Sequence, residues 1–270
     1  MKVKQLLVTS IFCFSIIGTS LMVTALDTPT YAQESHTDVG EIVFDGEYEA
    51  GIFDPEKPGN KVDPGPTPNT TGDLRIDFVP KLSFGKNKIS KKDTVYPANA
   101  QLFLGDTGPR GNFIQVSDYR PNRSGWSLQV RQETQFKNNN TLNNELKGAM
   151  ISFDKSWVNS TRDLSQAPSV SKDIIKIDNI GETYNLAEAK NNMGKGTWSI
   201  EFGASEENSN AMPNTLSPAI GPDGKPLLDP NFENKPIYQN SAVTLSIPGA
   251  TKIDPVPYQT VLTWIISELP

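Results

Sequence analysis

Residues 126–131 read Trp126-Ser127-Leu128-Gln129-Val130-Arg131. Successive side chains of a strand point to opposite faces, so Trp126, Leu128 and Val130 share one side and Ser127, Gln129 and Arg131 the other. One face buried and one wet is the pattern of an antiparallel sheet. The alternation recurs along the chain. Leu74, Ile76 and Phe78 alternate with Arg75 and Asp77, Trp198, Ile200 and Phe202 with Ser199 and Glu201, and Val243, Leu245 and Ile247 with Thr244 and Ser246. Ala149, Ile151 and Phe153 follow Gly148 with the same period. Turn-rich stretches at 105–111, 138–144 and 219–236 separate these runs. Helical periodicity is scarce: 136–146 is a polar, Asn-rich connection, and Leu186 to Lys190 reads as one helical turn at most. Short strands with such punctuation predict an all-β fold, an antiparallel β-sandwich with long loops over residues 73–270. A domain of that length buries about 70% of its unfolded surface, enough to stand without cross-links.

Composition narrows the function classes. The 270 residues carry 25 basic and 31 acidic side chains, a formal net charge of −6. Nucleic-acid binding needs a basic field that displaces counterions, and this chain lacks one. The single histidine, His36, removes most zinc sites and histidine-based triads and receives no role. No metal and no cofactor are expected. Gly-x-Ser-x-Gly, phosphate-loop and EF-hand patterns do not occur. Glycoside hydrolysis would need two carboxyl groups about 5–10 Å apart. None of the acidic residues stands in a recognisable catalytic setting, so an enzyme is not expected.

Residues 1–32 read as a secretory signal peptide. Lys2 and Lys4 precede an apolar run from Leu6 to Val23, and Thr30-Tyr31-Ala32 offers a small-residue cleavage site. A membrane anchor is the alternative, disfavoured by Ser and Thr within a short run. The one cysteine, Cys13, falls in that segment, so the mature chain would contain none. An exported protein without disulfides suits the surface of a Gram-positive bacterium. No Leu-Pro-x-Thr-Gly sorting signal is present, so attachment to the cell is expected to be non-covalent. Residues 33–53 form an N-terminal strand segment in which Ile42 and Phe44 share a face. Residues 54–72 are rich in Pro, Gly and Asp and read as an extended, solvated linker. The strand is thus expected to be tethered to the main domain and free to add to a sheet edge, its own or a partner's.

Two Trp-x-aliphatic motifs stand out. The proximal one is Trp126-Ser127-Leu128. The distal one is Tyr258, then Leu262-Thr263-Trp264-Ile265-Ile266, then Pro270. Together they resemble the WxL family of Gram-positive surface proteins, whose distal pattern is Tyr, three residues, Leu-Thr-Trp-x-Leu, three residues, Pro. The departure is Ile266 in place of Leu, a volume-conserving exchange. Leu74 to Pro80 and Val116 to Arg120 also resemble family segments, and the resemblance covers roughly residues 40–270. It implies attachment to the cell wall with peptidoglycan as ligand. It also implies other WxL proteins and a membrane-anchored companion as partners, with a host ligand as a further partner class.

The motif residues Trp126, Leu128, Tyr258, Leu262, Thr263, Trp264, Ile266 and Pro270 are the candidates for peptidoglycan binding. Trp126 and Trp264 admit two readings, a ring that stacks on sugar or a core side chain on the apolar face of its strand. Asp118 and Arg120 are candidate polar ligand contacts, against a surface pair or turn anchor. Trp157, set among polar neighbours, is the candidate exposed aromatic, against a half-buried loop ring. A subunit of a surface complex, or an adhesin, whose main ligand is another protein is the alternative to the wall-binding reading.

Overall fold

A computed structural model describes residues 50–269 apart from Arg123. The expectations placed on the signal peptide, on Ile42 and Phe44, and on Pro270 lie outside the described residues. The strands, in chain order, are β1 (Ile52–Phe53), β2 (Lys61–Val62), β3 (Leu74–Phe78), β4 (Thr94–Asn99), β5 (Asn112–Asp118), β6 (Trp126–Gln132), β7 (Met150–Phe153), β8 (Ser156–Asn159) and β9 (Ser169–Val170). They continue as β10 (Ile175–Ile177), β11 (Thr183–Ala189), β12 (Gly196–Phe202), β13 (Leu216–Pro218), β14 (Leu228–Asp229), β15 (Lys235–Pro236), β16 (Tyr238–Ile247) and β17 (Leu262–Glu268). The helical elements among the described residues are two one-turn 3-10 segments, Leu164–Gln166 and Pro230–Phe232. The protein is all-β, as the alternation predicts, and its strands pair antiparallel.

Three sheets share one core. The first runs β10-β7-β16-β13, with β4 also paired to β16; the second runs β17-β6-β11-β9; the third runs β3-β5-β12-β8. Their apolar faces meet at Phe153. Its ring lies 4.8 Å from Phe202 of the third sheet and 6.2 Å, edge-on, from Trp264 of the second. Around it Ile114, Val116, Leu128, Val130, Ile151, Trp198, Ile200 and Val243 are fully enclosed. Each of these sits at an alternate position of its strand, and all but Ile114 and Val116 of β5 fall in the alternating runs of the sequence.

Leu186 to Ala189 is strand, and Lys190 follows its end, so there is no helical turn. Pairing of β11 with β6 shifts register between Asn185 and Ala187, so Leu186 and Ala187 are both buried. A bulge breaks the two-residue period and hides the strand from periodicity.

The stretch read as a solvated linker is folded over its first half. β1 and β2 pair as a hairpin, Ile52 opposite Val62 and Phe53 opposite Lys61. Its turn is closed by backbone bonds from Asp54 N–H to the Asn60 carbonyl (2.8 Å) and from Asn60 N–H to the Lys57 carbonyl (2.9 Å). Asp54, Pro55 and Glu56 are buried, whereas residues 68–73 are exposed as a linker would be. Pro and Asp read as solvated because they favour turns, but here the turn is clamped on the outer face of the third sheet.

That outer face is the second, smaller apolar contact. Phe78, Phe103 and Phe113 are buried there, and Ile52 and Val62 of the hairpin pack on them. Phe78 stacks on Phe113 at 4.5 Å. With the core on one side and the hairpin on the other, all seven residues of β5 are buried.

Candidate functional site

The two Trp motifs are neighbours. β17 pairs with β6 so that Ile266 lies opposite Leu128, Trp264 opposite Val130 and Glu268 opposite Trp126. Directly opposed side chains on one face pack together, and such cross-strand pairs are the unit of sheet stabilisation. Segments far apart in sequence thus form one apolar surface that closes the second sheet over the core.

Trp126 is 0% exposed. Its indole N–H donates to the Gly194 carbonyl at 3.1 Å. Gly194 has φ +71, and a Cβ there would lie 2.7 Å from Nε1 of Trp126, so the indole fits only against glycine. Leu128 is enclosed beside it. Trp264 differs: it is half-buried, packed edge-on against Phe153, on a strand at the edge of its sheet. Ile266 and Leu262 are likewise half-buried against the core. Of the two readings weighed for the tryptophans, Trp126 takes the core one in full, and Trp264 has its inner edge in the core.

The polar members of the distal motif are anchors. Tyr258 Oη donates to the Asn143 carbonyl at 2.6 Å and accepts from Asp254 N–H at 3.0 Å. Asp254 in turn accepts from Asn143 N–H at 2.8 Å and from Thr141. Those bonds, the Thr141 hydroxyl foremost, hold the Asp254 carboxyl below its usual range. Thr263 donates to Glu133, which also accepts from Arg131 at 2.9 Å. The Thr263 and Arg131 donors hold Glu133 low as well. The distal motif therefore ties β17 to the Asn-rich connection and to the end of β6.

Asp118 and Arg120 are not open to a ligand. They form a two-pronged pair, Nε to Oδ1 at 2.9 Å and Nη2 to Oδ2 at 2.9 Å, and both are buried. Arg120 also donates to the Ser124 carbonyl (3.1 Å) and the Gly125 carbonyl (3.2 Å) and pairs with Glu268 at 3.0 Å. The guanidinium pins the start of β6 to the end of β17, which aligns the two motifs. The Ser124 hydroxyl and then the Arg120 charge hold Glu268 below the usual carboxylate range.

Trp157 is not an exposed ring. It is 6% exposed on β8, and its N–H donates to the Gly203 carbonyl at 2.8 Å. Its polar neighbours mislead because it lies on the outer face of the third sheet, where β8 pairs Trp157 with Glu201 and Asn159 with Ser199. That face is polar in sequence and roofed in structure.

Sequence reasoning missed the network that fixes the roof. Arg110 donates to Asp54 through Nε (2.9 Å) and Nη2 (3.0 Å), and its Nε lies 3.4 Å from Glu56. Glu56 accepts from Ser205 N–H at 2.6 Å and from the Ser205 hydroxyl. Gln115 accepts from Phe53 N–H (2.8 Å) and donates to the Gly51 carbonyl (2.8 Å). Beneath lies Glu201, 0% exposed, with both carboxylate oxygens lacking a hydrogen-bond partner among the described residues. Burial first, then the Glu56 and Asp54 charges, push Glu201 well above the usual carboxylate range. Burial also raises Glu56, against the opposing bonds from Ser205 and the charge of Arg110. The available signal was Arg110 itself, a charged residue between Pro109 and Gly111 just before a strand, but nothing local names its partners.

Neither the curated proteins nor the solved structures contain a significant match to this chain. A protein family does match: over residues 32–270 the sequence fits the family described as WxL domain surface cell wall-binding. That span includes both motifs, the two strands that pair them, and the hairpin roof. The chain belongs to the WxL family of cell-surface, cell wall-binding domains.

Proposed function

We propose that this chain is a secreted protein held non-covalently on a Gram-positive cell wall through binding of peptidoglycan. The observation that carries the reading is the cross-strand pairing of the two motifs, Leu128 with Ile266 and Val130 with Trp264, inside a chain that matches a wall-binding family over residues 32–270. The pairing gives the family's pattern a physical job, the closure of one sheet over the core. The leader-like residues 1–32 supply the export route. Binding is favoured over hydrolysis because the clustered carboxylates, Asp54 and Glu56 in the hairpin turn and Glu201 in the sheet beneath it, are buried out of reach of a polymer. Other WxL proteins and a membrane-anchored companion are the proposed neighbours on the wall, with Ile42 and Phe44 as the strand that reaches them.

A binding titration of the purified mature chain against peptidoglycan stripped of protein and teichoic acid tests this. Saturable binding is expected; failure to bind at any accessible concentration refutes it. The second reading, a surface-complex subunit whose main ligand is a protein, draws support from β17. This strand lies at a sheet edge with Val261 57% exposed beside it, and unpaired edges invite strand addition. Retention on a companion protein but not on bare peptidoglycan would favour it.

A further inference from the structure

Where the hairpin roof ends, it leaves a cleft of about 240 Å³ against the outer face of the third sheet. Phe53 lines it from the hairpin, and Tyr119, Asn159, Arg162 and Ser199 line it from the sheet and the loop after β8. Its floor is already bonded. The Tyr119 and Thr197 hydroxyls lie 3.0 Å apart, Thr197 and Ser117 share a bond of 2.8 Å, and Asn159 Nδ2 donates to the Pro55 carbonyl at 2.8 Å. Three other groups on the cleft have no side-chain partner among the described residues: the hydroxyls of Thr161 and Ser199 and the guanidinium of Arg162.

Among the described residues Arg162 is the only charged one lining the cleft, a cation in a chain of net charge −6. It is also laid in place. Gly196, at φ +91, lets the Arg162 side chain cross the start of β12; a Cβ there would come within 2.6 Å of Nε. A planar guanidinium recognises a carboxylate through two parallel bonds. Half-buried Phe53 offers apolar surface for the C–H face of a sugar ring, and the free hydroxyls match its polar rim, while the Tyr119 ring already carries the Arg75 guanidinium at 5.6 Å. The volume falls just below the ~300 Å³ at which drug-sized pockets begin. It fits one ring with its substituent rather than a long oligosaccharide.

We propose that this cleft is a subsite for an anionic saccharide: one amino-sugar ring whose attached carboxylate is taken by Arg162. The inference rests on the wall-binding reading and deepens it, because it says which part of the polymer is recognised and where.

The test uses the full mature chain and three ligands: a disaccharide–pentapeptide muropeptide, which carries peptide carboxylates; N-acetylmuramic acid, which carries its own; and neutral tetra-N-acetylchitotetraose. At least one of the two carboxylate-bearing ligands is expected to bind at least about tenfold more tightly than the neutral oligomer, the order of one charge-assisted contact. Which of them binds identifies the source of the carboxylate. Arg162→Gln should remove that advantage without moving the melting midpoint, since the side chain is exposed. Ser199→Ala should weaken binding of both classes by a smaller factor. Equal affinity for neutral and anionic ligands, or an Arg162→Gln chain that binds as the wild type does, overturns the proposal. Binding of glycerol-phosphate polymer in preference to all three overturns it too. Co-sedimentation with purified peptidoglycan separates the two levels. If wild type and Arg162→Gln pellet equally, the cleft is refuted and wall binding stands. If the wild type does not pellet, wall binding fails, and the muropeptide titration alone decides the cleft.

Discussion

The two covers of this fold are built in opposite ways. On one side β17 closes the second sheet over the core with apolar cross-strand pairs, Leu128 with Ile266 and Val130 with Trp264. On the other side the β1–β2 hairpin closes the third sheet with buried charge, Arg110 on Asp54 and Glu56, over an unpartnered Glu201. Ile52 and Val62 add apolar contact there. Apolar closure gains from area and tolerates a conservative exchange, as Ile266 for Leu illustrates. Ionic closure depends on every partner being present, because a buried charge left alone costs several kcal/mol. The motif cover should therefore fail gradually with lost volume, and the hairpin cover abruptly with one lost partner.

The largest expected effect is Trp126→Ala. Removing a fully enclosed indole and its bond to Gly194 should cost roughly 3–5 kcal/mol, read in denaturant melts. A cost below about 1 kcal/mol would mean that the motif side does not hold the core. Arg110→Ala comes next, at about 3 kcal/mol, the low end for a broken buried pair because Asp54 and Glu56 regain water if the hairpin lifts. Hydrogen exchange should then show Phe53 and Gln115 losing protection while β6 and β17 keep theirs. Uniform loss would erase the distinction between the two covers.

Trp264→Ala should cost less, roughly 2–3 kcal/mol, since the side chain is only partly buried. The smallest effect is a pH dependence. Glu201 has its folded-state pKa raised, so between the unfolded value, about 4.3, and the folded value the folded chain holds a proton that the unfolded chain has released. Stability should fall as pH rises through that window. Glu201→Gln should flatten the slope and leave the variant more stable than wild type at neutral pH. The lowered carboxyls Glu133, Asp254 and Glu268 act in the other direction, losing their contribution as pH drops through their folded values. A wild-type slope unchanged by Glu201→Gln would show that Glu201 is ionised and solvated.

The motif cover was legible in the sequence and the hairpin cover was not, for physical reasons. Trp126, Leu128 and Val130 announce a strand by period, and the distal motif announces itself by spacing. The hairpin strands are two residues each, too short to show a period. Its buried residues, Asp54 and Glu56, are types that composition assigns to water; Arg110 and Ser205, far along the chain, make their burial tolerable. The same roof explains Trp157, whose polar surroundings suggested exposure. Asp118 and Arg120 stand out by charge and spacing, but Glu268, which pairs with Arg120 beside the nearby Ser124 and Gly125 carbonyls, comes from a segment that meets it only in the fold. β11 was missed because its bulge at Leu186 breaks the alternation.

The motif tryptophans pack into the domain, and they are expected not to touch the wall. The most direct test is the affinity of folded Trp264→Ala for purified peptidoglycan, measured beside wild type well below the variant's melting midpoint. Saturable binding with a Kd within about threefold of wild type is expected, a difference under 1 kcal/mol. A variant that is folded by its melt yet no longer binds would place the Trp264 ring on the ligand and contradict that expectation.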